Sequence, residues 1–529
     1  MRRAALFMAA ALGGFVLAAI FTSALYVAYG AHDYLLDHPW HAVLHVPTLI
    51  DRPGGQDAAS IAALMTLLAG SLGLLAAVGM ARGTFVPQMM GSARFARLAP
   101  SSNPKLGFEM GTLGGQVVRE ELHAIVCARS GAGKGVSVVV PNLLTYRGSM
   151  IVFDPKGELV AITARRRREL GHQVVVIDPF SVTREPATAI NPLLWLRNAP
   201  KDDSVVNRSA TMASMVAASD KGQAGASAQH FEESANALIS AVLHHVAIGD
   251  EPTFSEVRRL LSVPKDQFLE EVMPALLAHE DLPNITRNSA VAMSAGDEEL
   301  GSLLTTVGRH LRFMDHSAIA AAFAGSSLLL DEVTTQKMTI YVVMPSELID
   351  TYSRFLRVIL GVAVEATMQA QKRDATPVAL LIDEFGQLGY MKKIEEWLPI
   401  LRGYGIRLWL IVQDFSQLRG VFPRWKGLLA NTTQLFFGVS DLDTAKYLSE
   451  SLGRKTVAYW TRSAGGGLLG SRTKHYTHQP LMAPDEIMQM SGDKAICLKS
   501  GSRPMRLRRM RYFRDDRFRG LYDKNPLRA

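Results

Sequence analysis

Cysteine is nearly absent from this chain, which has only Cys127 and Cys497 among its 529 residues. Two cysteines in a chain of this length exclude the disulfide framework of a secreted scaffold, so we expect the bulk of the protein to fold in a reducing compartment. The sequence also lacks HExxH and CxxC motifs, and its histidines therefore indicate no zinc site. With 48% hydrophobic and 20% charged residues, the composition excludes a disordered or fibrous protein.

Acidic residues are outnumbered, because 57 Lys and Arg oppose 49 Asp and Glu and leave a formal charge of +8. This balance is compatible with a nucleic-acid or anionic-membrane partner without requiring one. At ~100–200 residues per domain, the length predicts about three or four structural units.

Two long uncharged stretches lie near the N-terminus, at about residues 4–29 and 58–81. Each exceeds the ~20 apolar residues that a helix needs to cross a bilayer. Basic residues flank the outer ends of the pair, which places both termini and the main body in the cytoplasm and residues 30–57 outside. A cleaved signal peptide is the alternative for the first stretch, but it exceeds the ~7–15-residue apolar core of such peptides. We therefore predict a transmembrane domain of two helices over residues 1–85.

A turn of small residues containing Gly-Lys follows the apolar run His123–Ala128 and leads into another apolar segment. Backbone N–H groups can surround a phosphate only where side chains keep away, and a lysine at this position reaches the β and γ phosphates. The N-terminus of the following helix would add the positive end of its dipole. The candidate phosphate-binding residues are Ser130, Gly131, Ala132, Gly133, Lys134 and Gly135.

Two positions of this turn depart from the GxxxxGK[ST] pattern. Ala128 replaces the first glycine, and Gly135 replaces the Ser or Thr whose hydroxyl binds magnesium. Water or another residue would have to supply that ligand. On its own the turn also fits an ordinary glycine-rich connection.

A second element strengthens the nucleotide interpretation. The apolar run Val378–Ile382, typical of a strand buried on both faces of a parallel sheet, is followed by Asp383 and Glu384. Asp383 would hold Mg²⁺ directly or through water, and Glu384 would polarise the attacking water. An acidic start of the next helix is the alternative. Because phosphate sites in parallel sheets lie at the carboxyl ends of the strands, we expect these carboxylates to converge with Lys134.

Further apolar runs occur at residues 148–157, 173–179, 339–345 and 407–413, with helical patterns between several of them. This alternation predicts an α/β fold with a doubly wound, mostly parallel sheet. Gln413 follows one of these strands, where its amide would sense the γ phosphate or orient water.

Arg402 and Arg407 lie in the turn before that strand. An arginine at such a position can reach a neighbouring subunit's nucleotide as a finger, whereas position alone favours a solvated surface role.

Strand-type runs disappear between residues 191 and 333, where amphipathic patterns such as Phe231–Val246 replace them. We predict an all-α, substrate-facing domain inserted into the nucleotide-binding domain, whose two parts are residues 86–190 and 334–529. An insertion over the carboxyl edge of the sheet would be well placed to contact a substrate.

Several of these motifs together resemble the TraG-like coupling ATPases of type IV secretion and conjugation systems. The motifs are SGAGKGVSVVVPNLL at residues 130–144, FDPKGE at 153–158, LLIDEFGQL at 380–388, IVQDFSQL at 411–418 and RYFRDDRFRGLYD at 511–523. The resemblance implies a RecA-like P-loop motor that uses ATP and Mg²⁺ and assembles as a homohexamer on the bacterial inner membrane. It also favours Arg402 as the finger that acts on the adjoining subunit.

The activity implied by the resemblance is ATP-driven transfer of substrates into a type IV secretion channel. Its partners would be the channel components, the membrane, and as cargo either relaxase-bound DNA, effector proteins or both; the DNA would be single-stranded or duplex and bound without sequence specificity. An FtsK-like septal DNA translocase and a nucleotide-gated substrate-recruiting adaptor with little hydrolysis are the alternatives.

Two basic clusters, Arg165–Arg168 and the tail from Lys499 to Arg528, leave their role open. Either cluster would contact DNA phosphates, with a strong dependence on salt, or form a solvated face or bind the anionic cytoplasmic leaflet. Subunit contacts are a further alternative for the tail.

Overall fold

The computed structural model describes residues 91–100, 107–199, 204–217, 226–279, 285, 287–288, 296–327, 330–370, 376–462 and 472–527. The predicted membrane helices lie outside these ranges. Within them, no helix combines the length and the apolar character needed to cross a bilayer. The chain divides into two compact units. The larger comprises Ala93–Arg454 and Pro480–Ala529. The smaller is made of two segments, one that ends at Ser92 and one that spans Lys455–Gln479.

Thirteen strands are present in the described part of the chain. They are β1 (Phe108–Leu113), β2 (Gln116–Glu120), β3 (Ala124–Cys127), β4 (Met150–Asp154), β5 (Gln173–Ile177), β6 (Met338–Val343), β7 (Val378–Ile382), β8 (Ile406–Val412), β9 (Thr433–Phe436), β10 (Arg454–Arg462), β11 (Arg472–Pro480), β12 (Lys494–Leu498) and β13 (Met505–Arg508). Of these, β10 and β11 form a separate two-stranded sheet.

The other strands form one sheet of eleven strands in the order β2-β1-β13-β12-β9-β3-β8-β7-β4-β6-β5. From β9 to β5 all neighbours are parallel, with β3 between β8 and β9 so that Val126 faces Ile411 and Leu435. The remaining four strands extend the sheet in antiparallel pairing. The prediction of an α/β fold with a mostly parallel sheet is confirmed.

Burial on both faces explains why the central strands read as continuous apolar runs. All five residues of β7 are buried, as are all five of β4 and all six of β6. Helices cover both faces, and side chains in such a setting have no polar face to present. The six strands expected from the sequence therefore lie where the apolar runs predicted them. The sequence analysis missed β9, because two of its four residues, TQLF, are polar.

The helices of the described residues connect and cover these strands. They are α1 (Val140–Thr145), α2 (Glu158–Glu169), α3 (Leu193–Arg197), α4 (Ser204–Val216), α5 (Ala226–Ile248), α6 (Phe254–Leu260), α7 (Lys265–Gln267, continuing through Phe268–Val272 and Met273–Leu277), α8 (Asp297–Leu311), α9 (Ser317–Ala322), α10 (Ser353–Gln369), α11 (Lys392–Trp397), α12 (Phe415–Val421), α13 (Trp425–Ala430), α14 (Leu442–Leu452) and α15 (Pro484–Met488). A π-helical turn, Gly135–Val139, leads into α1.

Between β5 and β6 the described residues form helices and no strand, from α3 to α9. Buried side chains of these helices, such as Leu238 and Ile239 of α5, belong to the same apolar cluster as Ile151 and Phe153 of the sheet. The helical composition of this insertion is as expected. A separate all-α domain stays a prediction, because the insertion shares its core with one face of the sheet.

The arginine run on α2 makes contacts within the protein. Arg167 is fully buried and donates to the carbonyl oxygens of Leu143, Tyr146 and Gly148. Its neighbours Arg165, Arg166 and Arg168 form ion pairs with carboxylates of the same chain, namely Glu169, Asp523 and Glu185. This run therefore ties α2 to neighbouring segments of the same chain.

Candidate functional site

Four strands bring the predicted functional residues to one edge of the sheet. Since β3, β8, β7 and β4 are adjacent and parallel, their carboxyl ends lie side by side. The Gly-Lys turn follows β3, Gln413 follows β8, and Asp383 with Glu384 follows β7. Asp154 is the last residue of β4. This common edge is where ligands bind in open parallel sheets.

Lys134 meets both acidic residues at this edge. Its Nζ lies 2.9 Å from Glu384 Oε1 and 3.7 Å from Asp383 Oδ1, and the residue is only 8% exposed. The other Glu384 oxygen, Oε2, accepts a hydrogen bond of 3.0 Å from Gln413 Nε2. The expected convergence of the lysine turn with the distant acidic pair is confirmed.

Glycine is required at two positions of the turn. Gly131 and Gly133 have φ values of 74° and 86°, which a residue with a Cβ atom rarely adopts. The backbone then enters the π-helical turn at Gly135, with Lys134 already in a right-handed helical conformation. Gly131 and Gly133 therefore allow the tight backbone turn that lines the cleft beside the Lys134 side chain.

Glu384 holds an unusual backbone conformation for a residue with a side chain. Its φ of 54° and ψ of 42° are left-handed, at a cost of about 1–2 kcal/mol for an L-residue. Its N–H donates to Asp383 Oδ1 at 3.0 Å. In this conformation, the Glu384 carboxylate contacts both Lys134 and Gln413.

Burial shifts the pKa values of two carboxyl groups at this edge, Asp383 and Asp154. Burial raises the pKa of Asp383, while the ammonium of Lys134 acts in the opposite direction. Burial also raises the pKa of Asp154 to about 7, although its carboxylate accepts hydrogen bonds from the backbone N–H groups of Lys156, Leu159 and Val160. A cationic partner in the site would favour the ionised form of both groups.

These residues line one open cleft at the carboxyl ends of the strands. Its walls include Ser130, Gly131, Gly133, Lys134, Gly135, Asp154, Glu158, Asp383, Glu384, Tyr512 and Asn525. Ala132 and Gln413 are next to residues of this wall. The carbonyl oxygen of Ala132 accepts a hydrogen bond from Arg509, and Gln413 donates to the Glu384 carboxylate.

Arg509 is a site residue that the sequence analysis missed. Its Nη2 donates to the carbonyl oxygens of Ala132 and Gly133 at 2.6 and 3.2 Å and to Ser137 Oγ at 2.8 Å. The guanidinium lies 3.9 Å from the centre of the Phe437 ring. Burial lowers its pKa to about 10, so it stays charged at neutral pH. Arg509 therefore fixes the carbonyl side of the turn, leaving the N–H side for a ligand.

The C-terminal segment continues along the cleft after Arg509. Tyr512 and Asn525 contribute to its wall, and Asn525 Nδ2 donates to Glu158 Oε2 at 2.8 Å. The backbone N–H of Asp523 bonds to the carbonyl oxygen of Ile162 on α2. This part of the basic tail is thus a structural part of the site. In the sequence, this segment was noticed only because its RYFRDDRFRGLYD motif resembles the family. The basic composition of the motif did not indicate a contact with the cleft.

Arg402, before β8, and Arg407, the second residue of β8, lie at the opposite edge of the sheet from Lys134. The seven residues of β8 separate the two edges by about 20 Å. Arg407 donates to the backbone carbonyls of Glu121, Arg402 and Ile406, whereas the Arg402 side chain is exposed. The structure therefore does not bring Arg402 to the cleft of its own chain, and its action on a second subunit stays a prediction.

A likeness to known proteins extends over most of the chain. The family model for type IV secretory system conjugative DNA transfer matches residues 92–526. The conjugal transfer protein TraG of Rhizobium radiobacter is 26% identical over 74% of this chain and 62% of its own length. The type IV secretion system-coupling protein VirD4 of Bartonella quintana (strain Toulouse) is 29% identical over 76% of this chain and 64% of its own length. The chain thus spans less than two thirds of these relatives.

The fold also matches that of a solved protein, the plasmid coupling protein TrwB. Its complex with the non-hydrolysable ATP analogue ADPNP has a TM-score of 0.59 at 15% identity, covering 80% of this chain and 95% of that one. Its complex with ADP and Mg²⁺ has a TM-score of 0.56 at 16% identity, covering 79% and 96%. The RecA-like interpretation of the sheet and the resemblance to coupling proteins are confirmed: the chain belongs to the family of type IV secretory system conjugative DNA transfer proteins.

Proposed function

We propose that this protein is the coupling ATPase of a type IV secretion system, which hydrolyses ATP to deliver substrates to the secretion channel. The observation that carries the proposal is the contact of Lys134 with Asp383 and Glu384 in one cleft. Its family is that of conjugative DNA transfer, and TrwB, which shares its fold, was solved with ADPNP and with ADP and Mg²⁺.

In the proposed site, the backbone N–H groups from Gly131 to Gly135 bind the phosphates and Lys134 binds their β and γ oxygens. Mg²⁺, when bound, neutralises charge on those oxygens, and a carboxylate in the cleft suits its preference for oxygen ligands. Asp383 would hold it. When Lys134 turns to phosphate, Glu384 gives up that ion pair and is free to polarise the attacking water. Gln413 holds the orientation of the Glu384 carboxylate through Oε2.

Assembly into a homohexamer would complete the site. Arg402 is exposed and lies at the edge of the sheet away from its own cleft, so it is accessible to another subunit. Delivered to the neighbouring nucleotide, its guanidinium would neutralise transition-state charge.

The inner membrane is the proposed location. Residues 4–29 and 58–81 would anchor the chain as two membrane helices, with both termini and the body in the cytoplasm. The helices between β5 and β6 would face the cargo as a substrate-binding domain, and the channel components would receive it. Relaxase-bound DNA, effector proteins or both are the proposed cargo.

ATP hydrolysis by the full chain, purified in detergent, tests this function. We expect hydrolysis that single-stranded DNA stimulates, and its loss in Lys134→Ala. The matched control is Lys392→Ala, which removes a lysine exposed on α11 and should leave the rate unchanged. Hydrolysis at the parental rate in Lys134→Ala would contradict the motor assignment, and nucleotide binding without turnover in the parent would favour an adaptor.

A further inference from the structure

The Gly-Lys turn lacks the hydroxyl that normally binds magnesium, since Gly135 occupies that position. A carboxylate lies beside it instead. A Cβ atom at Gly135 would be 3.8 Å from Glu158 Oε1, which is ordinary contact distance. The Gly135 backbone has no positive φ, so a side chain would fit here without strain. A hydroxyl on that Cβ and the Glu158 carboxylate would therefore occupy neighbouring places in the cleft.

The fold fixes Glu158 at this place from two sides. Glu158 begins α2 directly after Gly157, whose φ of 66° turns the chain, and Asp154 accepts the N–H groups of Leu159 and Val160. From the C-terminal segment, Asn525 Nδ2 binds Glu158 Oε2 at 2.8 Å. One carboxylate oxygen is thus held by Asn525, while Oε1 is the atom nearest to Gly135.

Glu158 also shares an electrostatic environment with Asp383. Both line the cleft. Glu384, the residue after Asp383, lines it as well, so these three carboxylates share this cleft. Like charges held together in a cleft repel, and a divalent cation between them removes that repulsion. Mg²⁺ characteristically takes one or two protein carboxylates together with substrate phosphates and retained waters.

We infer that Glu158 replaces the missing hydroxyl as a magnesium ligand, directly or through a bound water, with Asp383 as the second carboxylate. Asn525 is a positioning residue that orients Glu158. The inference rests on the proposed nucleotide site and adds to it the residue that compensates for Gly135. A glutamate in the first turn of a helix also interacts favourably with the helix dipole, but that interaction does not involve magnesium.

Metal affinity in the full chain tests this assignment. The readouts are electron paramagnetic resonance titration of Mn²⁺ into the ADP-bound protein and the Mg²⁺ dependence of binding of a fluorescent ADP. For Glu158→Gln we expect the metal affinity to fall by about 10–100-fold, with ADP binding in EDTA unchanged. Adding the hydroxyl back in Gly135→Ser/Glu158→Gln should recover most of that loss, and Asn525→Ala should show a smaller loss.

The matched control is Glu169→Gln at the exposed C-terminal end of α2, which should leave metal affinity at the parental value. Parental metal affinity in Glu158→Gln would overturn the inference while leaving the nucleotide site intact. A fall in Glu158→Gln that Gly135→Ser does not restore would also overturn it, since the carboxylate would then not stand for the hydroxyl. If the parental chain binds no ADP at all, the proposed function itself fails.

Discussion

Lys134 and Glu384 form an ion pair of 2.9 Å although 250 residues separate them in the chain. Glu384 is therefore bound to the same ammonium group that a phosphate would attract. In the proposed mechanism, Lys134 would leave Glu384 for a phosphate of the bound nucleotide. Phosphate binding would then release the Glu384 carboxylate to act as the base.

Replacing Glu384 by glutamine tests its role in activating water. Because the amide keeps a similar shape but cannot act as a base, we expect Glu384→Gln to bind nucleotide with near-parental affinity and to lose about 10²–10⁴-fold in turnover. Steady-state hydrolysis and fluorescent-nucleotide binding measure the two effects. Glu450→Gln, on the exposed part of α14, serves as the control, and parental turnover in Glu384→Gln would exclude Glu384 as the base.

Arg509 should control nucleotide affinity from behind the turn. Arg509→Lys keeps the charge but loses the planar guanidinium, whose Nη2 binds Ala132, Gly133 and Ser137 while its carbon lies 3.9 Å from the centre of the Phe437 ring. We therefore expect nucleotide affinity to fall roughly tenfold. The comparison is Arg508→Lys, the exposed neighbour on β13, which should bind nucleotide as the parent does. Equal affinities in the two variants would show that the turn needs no support from Arg509.

Mixing two inactive variants tests the action of Arg402 on a second subunit. Removal of a finger arginine lowers the rate by about 10³–10⁵-fold, so Arg402→Ala should be nearly inactive. Subunits of Arg402→Ala retain Lys134, and subunits of Lys134→Ala retain Arg402. Mixed assemblies should therefore contain some complete sites and regain measurable hydrolysis, whereas mixtures as inactive as their components would argue against a trans arginine.

The arginines of α2 should differ sharply in their effect on stability. Arg167→Met would leave the carbonyl oxygens that Arg167 binds without a donor, each at ~1–3 kcal/mol, so we expect a loss of ~3 kcal/mol or more in the free energy of unfolding. Arg168→Met removes only an exposed pair with Glu185 and should cost less than ~1 kcal/mol. Urea unfolding compares the two, and equal losses would contradict the structural role of Arg167.

Asp154 should give the unfolding free energy a distinct pH dependence. Its folded-state pKa of about 7 lies above the pKa of 3.8 of an unperturbed Asp, so between these values the native state holds a proton that the unfolded state has lost. Stability from this group falls as pH rises, by up to ~1.4 kcal/mol per unit, and levels off above pH 7. Relative to Asp154→Asn, the parent should lose stability from pH 5 to 7 in urea unfolding. A constant difference over that range would exclude the raised pKa.

The local sequence was sufficient to predict the central strands and the polar residues that meet at their carboxyl ends. β7 and β4 are apolar throughout because both faces of a parallel strand are covered, and Lys134, Asp383 and Gln413 follow strands whose carboxyl ends must share an edge. These features depend on periodicity and chain direction, which a sequence displays directly.

Only the tertiary structure showed that Arg509 binds the turn and that Asn525 orients Glu158 beside Gly135. These contacts join segments several hundred residues apart through the antiparallel strands β12 and β13, whose short mixed sequences carry little local signal. A polar side chain on a connecting segment looks the same in a sequence whether water or a carbonyl oxygen is its partner. The role of such a side chain depends on which groups the tertiary fold places next to it.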